Sequence, residues 1–160
     1  MWNTKYNAPP LLSWDFAQHG FHNLLEAMRR QQDRDMLDNL AKKYQWATNP
    51  LSMLETPYQA LVLTDACQTI SWVNQGFTEM TGYGRSYAMG RKPAFLQGAA
   101  TSQESLEKIR QSLRNHRSVT ETLVNYRKNG EPYTCEVKII PLKNNQDCIT
   151  HYLAFEREVA

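Results

Sequence analysis

The hydrophobic rhythm of the chain changes once, near Asn49-Pro50, from helical spacing to strand-type alternation. Before that point, and after Ser13 in an N-cap position, Phe16, Phe21, Leu24, Leu25 and Met28 recur along one side of a helix. Met36, Leu37, Leu40, Ala41 and Tyr44 repeat the pattern. The polar stretch Gln31-Gln32-Asp33-Arg34-Asp35 either joins two helices or is the solvated part of one bent helix. Met1 to Leu12, with Ala8-Pro9-Pro10 and little periodicity, reads as an extended segment.

Beyond the switch, Ala60 to Thr64 and Thr69 to Asn74 have strand character, with Asp65-Ala66-Cys67-Gln68 as a hairpin loop between them. Gln75 to Thr81 reads as a short helix stopped at Gly82, and Arg85 to Met89 and Pro93 to Gln97 as further helical turns. Thr101 to Glu104 has the form of a capping box, and Leu106, Ile109 and Leu113 give the helix after it one apolar stripe. Val119 to Tyr126, Tyr133 to Leu142 and Ile149 to Glu158 are strand-like, separated by Asn129-Gly130 and by Asn144 to Asp147 as turns. The pattern divides the chain into an arm, 1–50, and a mixed α/β domain, 51–160.

Composition narrows the function classes. The chain has 160 residues and a net charge of +2, with basic residues scattered among acids, which argues against nucleic-acid binding. It lacks a long apolar run or a basic-then-apolar leader, so the expected compartment is the cytoplasm, without a membrane. Cys67, Cys135 and Cys148 are odd in number and without metal spacing, as expected of reduced thiols. His19, His22, His116 and His151 have no metal-site grouping and no nucleophile partner, so neither a metal nor catalysis is expected.

Four segments carry a family resemblance: Trp72-Val73-Asn74-Gln75-Gly76-Phe77-Thr78-Glu79-Met80-Thr81-Gly82-Tyr83, Gly90-Arg91-Lys92-Pro93-Ala94-Phe95-Leu96-Gln97-Gly98, a helix bearing Arg110, and Asn125-Tyr126-Arg127-Lys128-Asn129-Gly130. In order and spacing, over residues 57–159, they resemble a PAS domain of the light-oxygen-voltage type, the flavin-binding blue-light sensors. The resemblance implies an α+β PAS fold, a five-stranded antiparallel sheet with helices on one face, here with an N-terminal helical extension. In that family flavin mononucleotide is held by an Asn, an Arg and a Gln around a reactive Cys, an Arg on the next helix, two strand Asn and a Gln on the last strand. Gln97, Arg110 and Asn125 match that set. Pro93 stands at the cysteine position, Lys92 and Ala94 beside it, Cys135 at the second strand Asn and Glu156 at the final Gln.

The departures have physical weight. Ala94 removes a guanidinium fork that would bind phosphate by charge-assisted bonds about twice as strong as neutral ones, and Lys92 offers only a point charge. Cys135 brings a weak thiol where an amide would pair a ring edge. The residues also have structural readings: Pro93 initiates a helical turn, Gln97 caps it, Asn125 ties down a strand, and Cys135 alternates with Tyr133 and Val137 as a small buried hydrophobe. Glu156 shares a face with Tyr152 and Ala154 toward the central cavity, where a carboxylate must be paired or neutralised, and Lys92 is its candidate partner.

These readings lead to an expected non-enzymatic, cytoplasmic PAS signalling module that holds no cofactor and forms no cysteinyl adduct. A flavin- or haem-binding redox sensor and a protein-interaction adaptor with a filled core are the alternatives. The stripe of Phe16, Phe21, Leu24, Leu25 and Met28, too large for a lone domain to leave exposed, is expected to form a homodimer interface. A downstream signalling protein is the other expected partner.

Overall fold

The computed structural model describes residues 12–159, with side chains from Gln18 onward. The extended segment expected before Leu12 therefore lies outside the described residues, and so do the side chains of Trp14 and Phe16. A single helix, α1, runs from Leu12 to Tyr44. Its 33 residues span about 50 Å at the usual rise per residue. The polar stretch at Gln31 to Asp35 is thus one of the two expected arrangements, part of a continuous helix.

Five strands form one antiparallel sheet: β1 Ala60–Asp65, β2 Ile70–Val73, β3 Val119–Tyr126, β4 Pro132–Lys143 and β5 Ile149–Glu158, in the order β2-β1-β5-β4-β3. The first hairpin closes on Asp65, whose Oδ1 accepts from the amides of Cys67 at 2.8 Å and Thr69 at 2.9 Å. Between β2 and β3 lie α2 Gln75–Thr81, α3 Arg85–Ala88, a 3-10 turn Pro93–Leu96 and α4 Gln103–Arg114. Gly82 ends α2 in a left-handed conformation, φ 76°, which costs glycine little. Gly76 is required by contact, since a Cβ there would lie 1.7 Å from the Gln59 carbonyl oxygen. The capping expectation is off by one residue. Ser102 is the N-cap of α4, its hydroxyl accepting from the Ser105 amide at 3.2 Å. Thr101 instead turns inward, where its Oγ1 donates to the Val124 carbonyl and fastens the loop to β3.

The register sorts the sheet residues onto two faces. Ala60, Val62 and Thr64 of β1 pair with Glu156, Ala154 and Tyr152 of β5, and Leu61 and Leu63 pair with Phe155 and Leu153. Because successive side chains alternate across a strand, the two sets point in opposite directions. The first set faces α2, α3 and the Pro93–Leu96 turn in a cluster with Val73, Phe77, Met80, Leu96, Tyr133 and Cys135. The second set packs with Trp72, Ile140 and Leu142 under Leu37 of α1, flanked by Leu40, Ala41 and Tyr44. The extension is therefore no appendage, because its C-terminal part closes the second face of the sheet.

The N-terminal part of α1 behaves differently. Phe21, Leu24, Leu25 and Met28 are exposed, Phe21 at 63%, whereas Leu37 is completely buried. Truncating Leu37 to Ala should destabilise the chain by about 3 kcal/mol, the usual cost of a large-to-small change in a packed core. Leu24→Ala should change stability by less than about 0.5 kcal/mol. Urea unfolding, at a dilution that excludes association, checks both; equal losses would contradict the division of α1.

Candidate functional site

The inner face of the sheet concentrates polar groups where the rest of the core is apolar. Asn125 of β3 lies opposite Tyr133 of β4, Leu123 opposite Cys135, and Val137 of β4 opposite Glu156 of β5. Asn125, Tyr133, Cys135 and Glu156 are all buried. They lie on the face that packs against Phe77 and Met80 of α2 and against Leu96. Two polar atoms there, Tyr133 Oη and Glu156 Oε2, have no hydrogen-bond partner. Buried polar groups in native proteins are nearly always bonded, so an unsatisfied pair on one face calls for an explanation.

Electrostatics follow burial. Glu156 is pushed up from 4.5 to about 7 by loss of solvent alone, and it carries its proton into the neutral range. The Tyr133 hydroxyl is raised by burial and then by Glu156, and the nearby Asn125 amide and Arg127 partly offset the rise. Burial also holds the Cys135 thiol protonated, with Glu156 adding to the effect, and Sγ donates to the Glu136 carbonyl at 3.7 Å. At the rim, the Arg127 guanidinium lies 4.4 Å from the Tyr133 ring centroid and grips both Glu158 carboxylate oxygens at 2.8 Å.

A second polar cluster joins α1 to β1 and α2. Asn74 caps α2: its Oδ1 accepts from the amides of Phe77 at 3.0 Å and Leu61 at 2.9 Å. Its Nδ2 donates to Asp33 Oδ2 at 2.9 Å, and the Tyr58 hydroxyl donates to the same oxygen at 3.1 Å. Burial raises Asp33, and the bonds from Asn74 and Tyr58 partly offset it. Nearby, Arg29 of α1 forks onto Glu79 of α2 with two contacts of 2.9 Å. Asp33, Tyr58 and Asn74 are not among the candidates that the sequence offers. One signal was available: Asp33 precedes Leu37, Leu40 and Tyr44 at helical spacing, a carboxylate on the apolar stripe.

The sequence-derived candidates fall in three places. Asn125, Cys135, Tyr152 and Glu156 meet on the inner face. Gln97 is half-buried at the end of the Pro93–Leu96 turn, and Arg110 is exposed on α4, where it contacts Glu107 at 3.4 Å. Lys92, expected in the cavity as the partner of Glu156, is exposed on the turn's N-terminal side. No ion pair among the described residues reaches Glu156, so burial leaves it neutral where a lysine was expected to pair it. His151 sits on the opposite face, its ring centroid 4.2 Å from that of Tyr44. Among the described residues no group of His, Cys, Asp and Glu is placed to hold a metal, and no helix is long and apolar enough to cross a membrane.

A family model for the PAS domain matches residues 59–160, and the chain belongs to that family. Rice Phototropin-1A is 33% identical over 64% of this chain, which spans 11% of that protein. A blue-light-activated histidine kinase of Erythrobacter litoralis is 32% identical over 61% of the chain, which spans 29% of it. A Nitrogen fixation regulatory protein of Klebsiella oxytoca is 30% identical over 68% of the chain, which spans 22% of that protein. Among solved structures, a light-oxygen-voltage domain studied with a flavin analogue superposes with a TM-score of 0.65 at 31% identity, covering 71% of this chain and 87% of that one. The light-state LOV domain of Aureochrome1 gives 0.64 at 27% identity, covering 70% and 90%. The fold is thus a PAS fold with light-oxygen-voltage relatives, the architecture of a sensory signalling module.

These relatives correct the expectation that the chain holds no cofactor. That expectation rests on the changed contact positions at Lys92, Pro93, Ala94, Cys135 and Glu156. Tyr133 Oη and Glu156 Oε2 are two buried polar atoms on this face that a polar ligand edge could bond. Of the ring-edge positions that the resemblance assigns, Asn125 is retained and buried, and Cys135 and Glu156 depart from the set.

Glu156 also makes stability depend on pH. Between about pH 4.5 and pH 7 the folded chain retains a proton that the unfolded chain has released, so stability falls as pH rises through that window. Relative to the wild type, Glu156→Gln should be neutral near pH 4 and stabilising by roughly 3 kcal/mol at pH 8. Asp33 shifts in the same direction but is common to both chains and cancels. A difference that stays flat across pH in denaturant titrations would contradict a buried, unpaired carboxyl.

Proposed function

We propose that this chain is a non-enzymatic, cytoplasmic PAS sensory module that takes a flavin into the chamber under its sheet and signals through α1. The observation that carries the reading is the unbonded pair Tyr133 Oη and Glu156 Oε2 on the inner face of a chain similar to light-oxygen-voltage domains. Asn125, Tyr133 and Glu156 would hold the ring edge, with Gln97 beside the turn and Arg110 at the surface for a phosphate. When bound, the flavin supplies visible-light absorption and reversible redox chemistry. The chain's residues bind it, exclude water from it and orient it.

Adduct chemistry has no support from the thiols. Pro93 occupies the position that the resemblance assigns to the reactive cysteine. Cys135 is the buried cysteine, and its raised pKa keeps it a thiol, while the attacking species would be a thiolate. Flavin mononucleotide added to the refolded chain should co-elute with it in gel filtration and colour the protein fraction. Illumination should leave no band loss that recovers slowly in the dark. Free flavin separating completely from the protein would overturn the binding reading; a recovering bleach without reductant would overturn the non-adduct part.

Output through α1 rests on its exposed stripe. Phe21, Leu24, Leu25 and Met28 follow the i, i+3, i+4, i+7 spacing of a helix-pairing seam. Burying each large apolar side chain contributes about 1.5–3 kcal/mol, enough in combination to offset the entropy of association. The stripe is read as a homodimer seam, with a downstream signalling protein as the receiver. Phe21→Asp with Leu25→Asp should convert a dimer to a folded monomer in light scattering, with circular dichroism unchanged in its strand contribution. A monomeric wild type at crystallisation concentrations would sink this seam.

A further inference from the structure

We infer that the cleft between α1 and the β2–α2 edge of the domain is a second binding site, one that takes a small molecule bearing a single carboxylate on an apolar body. The inference is independent of the flavin reading, because Gln97, Arg110, Asn125, Tyr133 and Glu156 take no part in lining this cleft.

The cleft measures about 1040 Å³, at the upper end of the range for small-molecule sites. Gln32, Asp35, Met36 and Asn39 line it from α1, and the run from Trp72 to Gly76, with Arg85, lines it from the domain. Trp72, Val73 and Met80 are buried and supply its apolar lining. Two groups there lack the partner that their chemistry calls for. Trp72 is only 8% exposed, and its indole nitrogen bonds to nothing among the described residues. An indole N–H can only donate, so what it lacks is an acceptor. The nitrogen is covered, and an acceptor reaches it through a small turn of the ring toward the cleft. Arg85 is exposed and enters no ion pair among the described residues; its Nη2 donates to the Val73 carbonyl at 2.9 Å. That bond holds the guanidinium against β2, one residue along from Trp72. A donor-only ring and an unpaired guanidinium at neighbouring positions suit a carboxylate, which only accepts.

The remaining charges limit the ligand to one negative group. Arg29 is taken up by Glu79 with two contacts of 2.9 Å, and Arg127 by Glu158. Arg30 lies over the Tyr58 ring at 5.1 Å, within the field of Asp33. Glu26 and Asp35 line the α1 side as acids, so a phosphate dianion or a dicarboxylate meets repulsion where a monoanion meets one guanidinium. The amides of Gln32, Asn39 and Gln75 offer donors and acceptors to an uncharged polar substituent.

The test adds phenylbutyrate to the full chain and follows the tryptophan indole signals by nitrogen-edited NMR, the Trp72 signal being assigned by its loss in Trp72→Phe. The Trp72 signal should move saturably. The Trp46 signal, whose N–H already donates to Thr150 Oγ1 at 2.9 Å, should stay, and its constancy in each variant shows that the fold is kept. Phenylbutyramide, alike in shape and uncharged, should bind about tenfold more weakly, as expected for loss of one charge-assisted hydrogen bond. Arg85→Gln should weaken the acid by a similar factor and leave the amide unchanged. Arg91→Gln, which removes an exposed cation lying over Tyr87, should alter neither. A Trp72 signal that stays fixed up to the solubility limit of the acid overturns the site, and so does binding that the amide matches or that Arg85→Gln leaves intact. Tighter binding of phenyl phosphate than of phenylbutyrate contradicts the limit of one charge. No readout involves flavin, so each of these results stands whether or not the chain binds one.

Discussion

The alternation of side chains along β1 and β5 governs the molecule. These central strands have no solvent face, so each pair of successive residues must satisfy two different cores. One core is closed by α1 and is almost wholly apolar; Leu37, Leu61, Leu63, Leu142 and Leu153 fill it. The other is closed by α2, α3 and the Pro93–Leu96 turn, and the same register that places Leu153 and Phe155 outward turns Glu156 inward. A one-residue slip would exchange the faces, putting the carboxyl under α1 and leucines into the chamber.

The two cores communicate through Asn74. One side-chain oxygen receives an amide from β1 and an amide from α2, while the nitrogen is spent on Asp33 of α1. A residue that caps the helix over the chamber thus also anchors the helix behind the sheet. The Arg29–Glu79 fork reinforces the join from the surface, where screening makes its share small. One side chain thus ties α1, α2 and β1 together.

Much of this was legible in the sequence. Strand alternation located all five strands, and Asn129-Gly130 marked the β3–β4 turn, with Gly130 at φ 87°. The Glu156–Tyr152–Ala154 face was legible too, because strand parity alone decides it. What remained hidden depends on tertiary partners. An apolar stripe on a helix does not announce whether its cover is its own sheet or another chain, and α1 uses Leu37 for the first while leaving Phe21 free. Lys92 was misplaced because a loop residue's direction follows the path of its turn, which periodicity does not encode. The absence of a cofactor was misjudged for a related reason. Counting replaced ligands measures what a site has lost and leaves out the fold it shares with light-oxygen-voltage domains.

The central claim is that a flat ligand enters the face of the sheet turned toward α2 and leaves the face under α1 untouched. Methyl-labelled NMR of the full chain during addition of flavin mononucleotide tests it directly, since ring currents act only on near neighbours. The account predicts large shifts for the methyls of Val62, Val73 and Leu96 and negligible ones for Leu37, Leu63 and Leu142. Shifts confined to the methyls under α1, or none at saturating flavin, would contradict it.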